Sequence, residues 1–269
     1  MPELPEVEVT RRGIAAHLTG RTISAVAVRD PRLRWPIPRD VLSLAGRTIK
    51  DIQRRGKYLL VDCGGGHLIL HLGMSGSLRV LPRGTPAEKH DHFDLVLGDR
   101  MLRLRDPRRF GAVLWATGNV AEHPLLAHLG IEPLSPALTG ERLYAMTRAH
   151  RAAVKQFLMD GRRIVGVGNI YASEALFRAG ISPRKAARRL TRVECARLAK
   201  GIKETLRAAI RAGGSTLQNF VAADGAAGEY QVNTFVYDRG GQKCRRCASL
   251  IRRLVQGQRS TYYCPTCQR

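Results

Sequence analysis

Acid is scarce in this chain of 269 residues: 22 Asp plus Glu stand against 45 Lys plus Arg, a formal net charge of +23. The excess cannot be neutralised within the chain and implies a large polyanionic partner, nucleic acid first, held mainly through phosphate contacts. Aromatic residues are also few, at 6%, which argues against binding built on stacking with single-stranded bases. No apolar run approaches the roughly 18 residues of a membrane span. The acidic N-terminus has no apolar signal core, so the expected setting is the cytoplasm. Cysteine is sparse outside one place: of six, only Cys63 and Cys195 lie away from the C-terminus. That excludes a disulfide framework and makes those two buried free thiols. The length suits one large or two ordinary domains, and 44% hydrophobic residues is normal for a globular chain.

The patterning changes along the chain. "PEVEVTRRGIAAHL" reads as a helix, with Pro5 in its first turn, Glu6 and Glu8 at its positive end, and Val7, Ile14 and Leu18 on one face. From Thr22 to about Ala116 short apolar runs alternate with turns, including a Gly-Gly-Gly turn at 64–66 and a hairpin at Gly98-Asp99. This pattern predicts an antiparallel sandwich or barrel. "GIEPLSPALTG" is linker-like. Beyond it, "ERLYAMTRAHRAAVKQFLMD" and "IYASEALFRAG" each read as helical, and Ser182-Pro183 marks a helix start. Thr191 and Glu194 form a capping box for a long helix that buries Leu198, Ile202, Leu206 and Ala209 and ends at Gly213-Gly214.

Cys244, Cys247, Cys264 and Cys267 form C-x2-C-x16-C-x2-C, the spacing of a closed tetrahedral zinc site with a hairpin between two knuckles. One structural Zn2+ replaces a core that so short a piece cannot build. The hairpin carries Arg252, Arg253 and Arg259, suited to phosphate or groove contact. "GVGNIYASEALF" places Asn169 and close-approaching glycines at a helix start, where a cap can also touch phosphate. Met74 in "HLGMSGSLRV" and Phe110 in "DPRRFG" put apolar side chains on turn tips among basic residues. In an ordinary sandwich such residues fold back into the core; among basic loops they can instead fill the gap a base leaves in a duplex, and Arg108 can bond the orphaned opposite base. "KHDH" puts His90 and His92 on one strand face, open to phosphate contact or simple exposure ahead of metal binding.

In this order, "MPELPEVE", "GKYL", "HLGMSGSLR", "DPRRFG", "LMDGRRIVGVGNIYASEALF" and the cysteine ribbon resemble the bacterial formamidopyrimidine-DNA glycosylase family over essentially the whole chain. The resemblance implies an α+β fold. An N-terminal helix and antiparallel β-sandwich (1–131) lead through a linker (132–140) to a helix-two-turn-helix domain (141–236) and a zinc-finger β-hairpin (237–269). It implies a base-excision repair enzyme that removes 8-oxoguanine and formamidopyrimidines from double-stranded damaged DNA and then cuts the strand by β,δ-elimination. The expected form is a monomer in the bacterial cytoplasm, associated with the nucleoid.

The implied nucleophile is Pro2, freed by loss of Met1. An α-amino group with a pKa near 8 is about 10% unprotonated at pH 7, against about 0.04% for an ordinary lysine. A secondary amine yields a cationic iminium that acidifies the neighbouring C2′ proton. Glu3 is the implied proton carrier and Glu6 a supporting acid; Lys57 and Arg259 complete the expected catalytic set. His90, Arg108, Arg109, Lys155 and Asn169 are the expected DNA contacts, with Met74, Arg108 and Phe110 entering the duplex. The segment 220–232 stands where the family has a lid over the extruded base, and departs from the family pattern at Ala226-Ala227 and Glu229. Two rivals remain: the sister family acting on oxidised pyrimidines, and a non-catalytic zinc-ribbon protein.

Overall fold

The acidic opening starts a helix. In the computed structural model, which describes residues 2–214 and 234–269, α1 spans Leu4–Leu18 with Pro5 in its first turn. A proline there forfeits no helical hydrogen bond. Leu4, Val7, Ile14 and Leu18 are fully buried on one face. That face closes a core supplied by two antiparallel sheets. The strands are β1 (Ala25–Val28), β2 (Asp51–Arg55), β3 (Tyr58–Asp62), β4 (His67–His71), β5 (Ser77–Pro82), β6 (Asp91–Leu97), β7 (Arg100–Arg105) and β8 (Ala112–Ala116). One sheet has the order β1-β6-β7-β5 and the other β2-β3-β4-β8. Leu59, Val61, Leu68 and Leu70 from one meet Phe93, Leu95, Leu102 and Leu104 from the other, the period-2 pattern of a sandwich. The β6–β7 hairpin turns at Gly98, whose φ of +64° favours glycine. Cys63 is buried in this core, and burial pushes its thiol up to about 11.

The second compact unit runs over 128–211 and 234–269, while 212–214 pack with the first. It holds α2 (Gly140–Thr147), α3 (Val154–Met159), α4 (Asn169–Ala179), α5 (Arg192–Arg211) and the hairpin of β9 (Arg252–Gln256) and β10 (Arg259–Tyr263). Thr139 caps α2 through its hydroxyl, which accepts the Arg142 N–H at 3.0 Å. At α5 the capping box forms as expected: the Glu194 carboxylate accepts the Thr191 N–H at 2.9 Å and the Thr191 hydroxyl accepts the Glu194 N–H at 3.2 Å. Leu198, Ile202, Leu206 and Ala209 are all buried.

Two helical expectations fail, for one reason. The segment expected as a single helix over 141–160 breaks between α2 and α3, and Ser182-Pro183 opens a turn region instead of a helix. The chain at 150–154 pairs with the chain at 185–188. The Val154 N–H donates to Lys185 O, the Ala187 N–H to Ala152 O and the Arg188 N–H to His150 O, all within 2.9 Å. Each segment spends on the other the backbone groups a helix needs internally. Among the described residues no helix is long and apolar enough to cross a membrane.

Candidate active site

The N-terminal acids divide their work. Glu3 is the N-cap of α1, and its backbone N–H donates to Glu6 Oε2 at 2.8 Å. Pro2, Glu3 and Glu6 are all buried, so the main chain at residues 2 and 3 is held by a carboxylate with no solvent around it. Glu8 faces elsewhere. Its carboxylate takes Arg11 at 3.0 Å, Arg12 at 2.9 Å and Arg54 of β2 at 3.1 Å. Burial pushes this carboxyl up, but the arginine hydrogen bonds and charges outweigh it and pull it down to about 2. Glu8 therefore ties α1 to the sheet, beyond any role at the helix dipole.

Lys57 lies in the tight turn between β2 and β3, half-buried behind Gly56 at φ +59°. Beside it stands a residue that the motif reading passed over. His71 packs 4.7 Å from the Tyr58 ring, and its Nδ1 accepts the Gly73 N–H at 3.0 Å. Desolvation, then the charges of Lys57 and Arg34, lower it to about 4. It is a neutral imidazole at pH 7, and the Gly73 bond leaves its proton on Nε2. The signal was present, since His71 opens the "HLGMSG" stretch, but only the fold sets it beside the lysine.

The turn residues separate in exposure. Phe110 is 42% exposed, with the Arg108 guanidinium 5.0 Å over its ring. Met74 is half-buried. Its turn is not the loose one its glycines suggest: a Cβ on Gly73 would lie 2.4 Å from the Phe110 carbonyl carbon. Arg109 has φ +58° and pairs with Asp30 at 2.8 Å. The expectation that His90 and His92 share a strand face is corrected. His90 sits before β6 at φ +76°, half-buried, whereas His92 is 2% exposed inside β6. An irregularity in the pairing between Asp91 and Phe93 rotates the strand there.

In the second unit Lys155 is 1% exposed. Its Nζ donates to Asn169 Oδ1 at 2.6 Å, Thr261 Oγ1 at 2.7 Å and Ser260 O at 3.1 Å. Asn169 is the first residue of α4, not its cap, which is Gly168. Its amide nitrogen donates to Ser260 O at 3.0 Å. Both side chains thus bind α3 and α4 to the hairpin, next to Arg259. Arg259 itself is exposed and opens β10, straight after the turn at Gly257 and Gln258. With Gln156, Met159, Asp160, Gln256 and Gly257 it lines an open pocket of about 240 Å³.

The Sγ atoms of Cys244, Cys247, Cys264 and Cys267 all lie within 4.8 Å of one another, with Cys247–Cys264 at 3.4 Å and Cys244–Cys267 at 4.0 Å. Zn–S bonds of about 2.3 Å in a tetrahedron put sulfurs just under about 4 Å apart, so the cluster fits one structural Zn2+. The N–H groups of Arg246 and Cys267 each donate to a cluster sulfur at 3.4 Å, as thiolates require. The segment 220–232, expected as a lid, lies outside the described residues.

Three family models match in chain order. They are the formamidopyrimidine-DNA glycosylase N-terminal domain over residues 1–113, its H2TH domain over 129–221, and the zinc finger found in FPG and IleRS over 241–269. The formamidopyrimidine-DNA glycosylases of Thioalkalivibrio sulfidiphilus and Paraburkholderia phytofirmans are 56% and 55% identical, with 100% of each chain covered. The crystal structure of the MutM (Fpg) protein of Thermus thermophilus superposes with a TM-score of 0.89 at 41% identity, covering 99% of this chain and 98% of that one. The Lactococcus lactis Fpg in complex with DNA containing an abasic site gives 0.91 at 33% identity, with 99% of both chains covered.

Proposed function

The chain belongs to the formamidopyrimidine-DNA glycosylase family and is a bifunctional DNA glycosylase and AP lyase of base-excision repair, and we infer that its nucleophile is the Pro2 nitrogen. Its substrates are oxidised purines in damaged duplex DNA. Once Met1 is removed, the Pro2 lone pair forms a bond to C1′. The glycosidic C1′–N bond breaks, its electrons leave with the base, and the base takes a proton. The bonded nitrogen then loses its N–H proton, its freed lone pair forms the C1′=N bond of the iminium, and the C1′–O4′ bond breaks as Glu3 protonates the ring oxygen. Loss of the C2′ proton then expels the 3′ phosphate, and a second elimination expels the 5′ phosphate.

The observation that carries this reading is the buried bond from the Glu3 N–H to the Glu6 carboxylate at 2.8 Å. It holds the backbone of residues 2 and 3 rigid, which a nucleophile needs and a tail does not. Lys57 and Arg259 bind the phosphates flanking the lesion, with His90, Arg109, Lys155 and Asn169 as further contributors to DNA binding. Met74, Arg108 and Phe110 enter the duplex. Catalysis belongs to 1–131, and 141–236 and 237–269 grip the DNA. The enzyme acts as a monomer, without membrane, in the nucleoid-associated cytoplasm.

Borohydride reduction with an 8-oxoguanine:cytosine duplex tests the nucleophile. The native enzyme is expected to give a covalent adduct that peptide mapping places on Pro2. Pro2→Gly should lose most of the trapping, and Glu3→Gln should lose base excision. An adduct on a lysine, or normal trapping by a form that retains Met1, overturns the assignment. A thymine glycol duplex run alongside separates the purine enzyme from the pyrimidine one.

A further inference from the structure

The Met74 turn and the Arg108–Phe110 turn both cross between the two sheets of the sandwich: the first leads from β4 to β5, the second from β7 back to β8. Nothing in the sequence links them. In the fold a single buried carboxylate does. Asp106 is 0% exposed. Its Oδ1 accepts the Ser75 hydroxyl at 2.6 Å, and its Oδ2 accepts the Gly111 N–H at 2.8 Å. Ser75 Oγ in turn accepts the Arg108 N–H at 3.1 Å. From Ser75, the residue after Met74, the bonds therefore run directly to Arg108 and through Asp106 to Gly111, and so to both sides of the Arg108–Phe110 tip.

The contacts around it leave no slack. Asp106 O accepts from His92 Nε2 at 2.9 Å and from the Arg109 N–H at 3.2 Å, and the Asp106 N–H donates to His90 O at 3.0 Å. A Cβ on Gly73 would strike the Phe110 main chain at 2.4 Å, and one on Gly111 would meet His71 O at 2.7 Å. The two turns are packed backbone to backbone.

We propose that Asp106 and Ser75 are positioning residues that latch the two turns into one rigid wedge, so that Met74, Arg108 and Phe110 enter the duplex as a unit. This rests on the duplex-inserting role given to those three side chains above. The acceptor pattern makes the point specific. A carboxylate accepts from two donors, Ser75 and Gly111. Asn at 106 offers one acceptor oxygen and one NH2, so one of the two donors faces another donor. Ser75→Ala removes the bridge to Arg108 with little change in volume.

The test compares two substrates. One is an 8-oxoguanine:cytosine duplex, where a wedge must displace a stacked base. The other is a pre-formed abasic site in a single strand, where there is none to displace. Asp106→Asn and Ser75→Ala are each expected to lower kcat/KM on the duplex by about tenfold to about a hundredfold, while abasic-site nicking stays within about twofold. The double variant should be no worse than the more damaged single one, because both break the same chain of bonds. Equal loss on both substrates reduces the latch to scaffold and overturns the proposal, as does an unchanged duplex rate. Phe110→Ala is the control. Should it spare duplex excision, the wedge reading fails and the latch with it; should it impair duplex excision while the latch variants do not, the latch alone fails.

Discussion

Three glutamates within six residues have three different roles, and exposure and partners decide which. Glu3 is the N-cap of α1. Glu6 holds the Glu3 N–H in a dry site. Glu8 takes three arginines. Because the Glu8 pKa is lowered from 4.5 to about 2 in the folded chain, its contribution to stability is complete above the unfolded value. It is lost as pH falls through the folded one. Glu8→Gln is therefore expected to lower Tm at pH 7, and that deficit should shrink as pH falls from 4.5 toward 2. Thermal melts of both proteins across this range check it. A deficit that persists unchanged at the acid end would mean that packing, not charge, carries the effect. The helix pattern made Glu6 and Glu8 legible as helix-start acids, but their division of labour was not legible, since Arg54 is distant in the sequence.

At the scale of elements, the zinc hairpin is the piece that depends most on one interaction. Its local core is a small cluster of Phe177, Val236, Cys244, Ile251, Tyr262 and Cys264. Two members of that cluster are ligands, so metal removal also opens the apolar packing. Chelation, or Cys264→Ser, is expected to release one Zn2+ per chain and weaken duplex binding at least about tenfold. Metal analysis with a binding titration measures both, and full affinity in the metal-free protein would detach the hairpin from DNA binding. The same hairpin presents Ser260 O and Thr261 Oγ1 to Lys155, and Ser260 O to Asn169. The motif reading sent Lys155 and Asn169 toward DNA; in the fold their side chains meet protein first. Each was identifiable as special from its motif, but the partner that absorbs it lies about a hundred residues away and leaves no local trace.

For the whole molecule the dominant quantity is charge. A net +23 makes duplex affinity steeply salt-dependent, with a log–log slope of about −0.9 per phosphate neutralised. Removing one phosphate contact, by Lys57→Ala or Arg259→Ala, should make that slope shallower by about 1 and weaken damaged and undamaged duplexes alike. Titrations from low to moderate salt read it directly. An unchanged slope would take that side chain off the phosphate backbone.

Composition and spacing alone determined the polyanionic partner, the metal site, the run of antiparallel strands and the capped helix, because each follows from local periodicity, from a fixed ligand interval or from a sum over residues. Tertiary structure alone decided where helices stop, which acids are dry, that His71 stands neutral beside Lys57, and that Asp106 joins two distant turns. Those outcomes depend on which backbone groups and charges the folded chain brings within hydrogen-bonding distance. A sequence states that the groups exist but carries no distances between residues far apart along it.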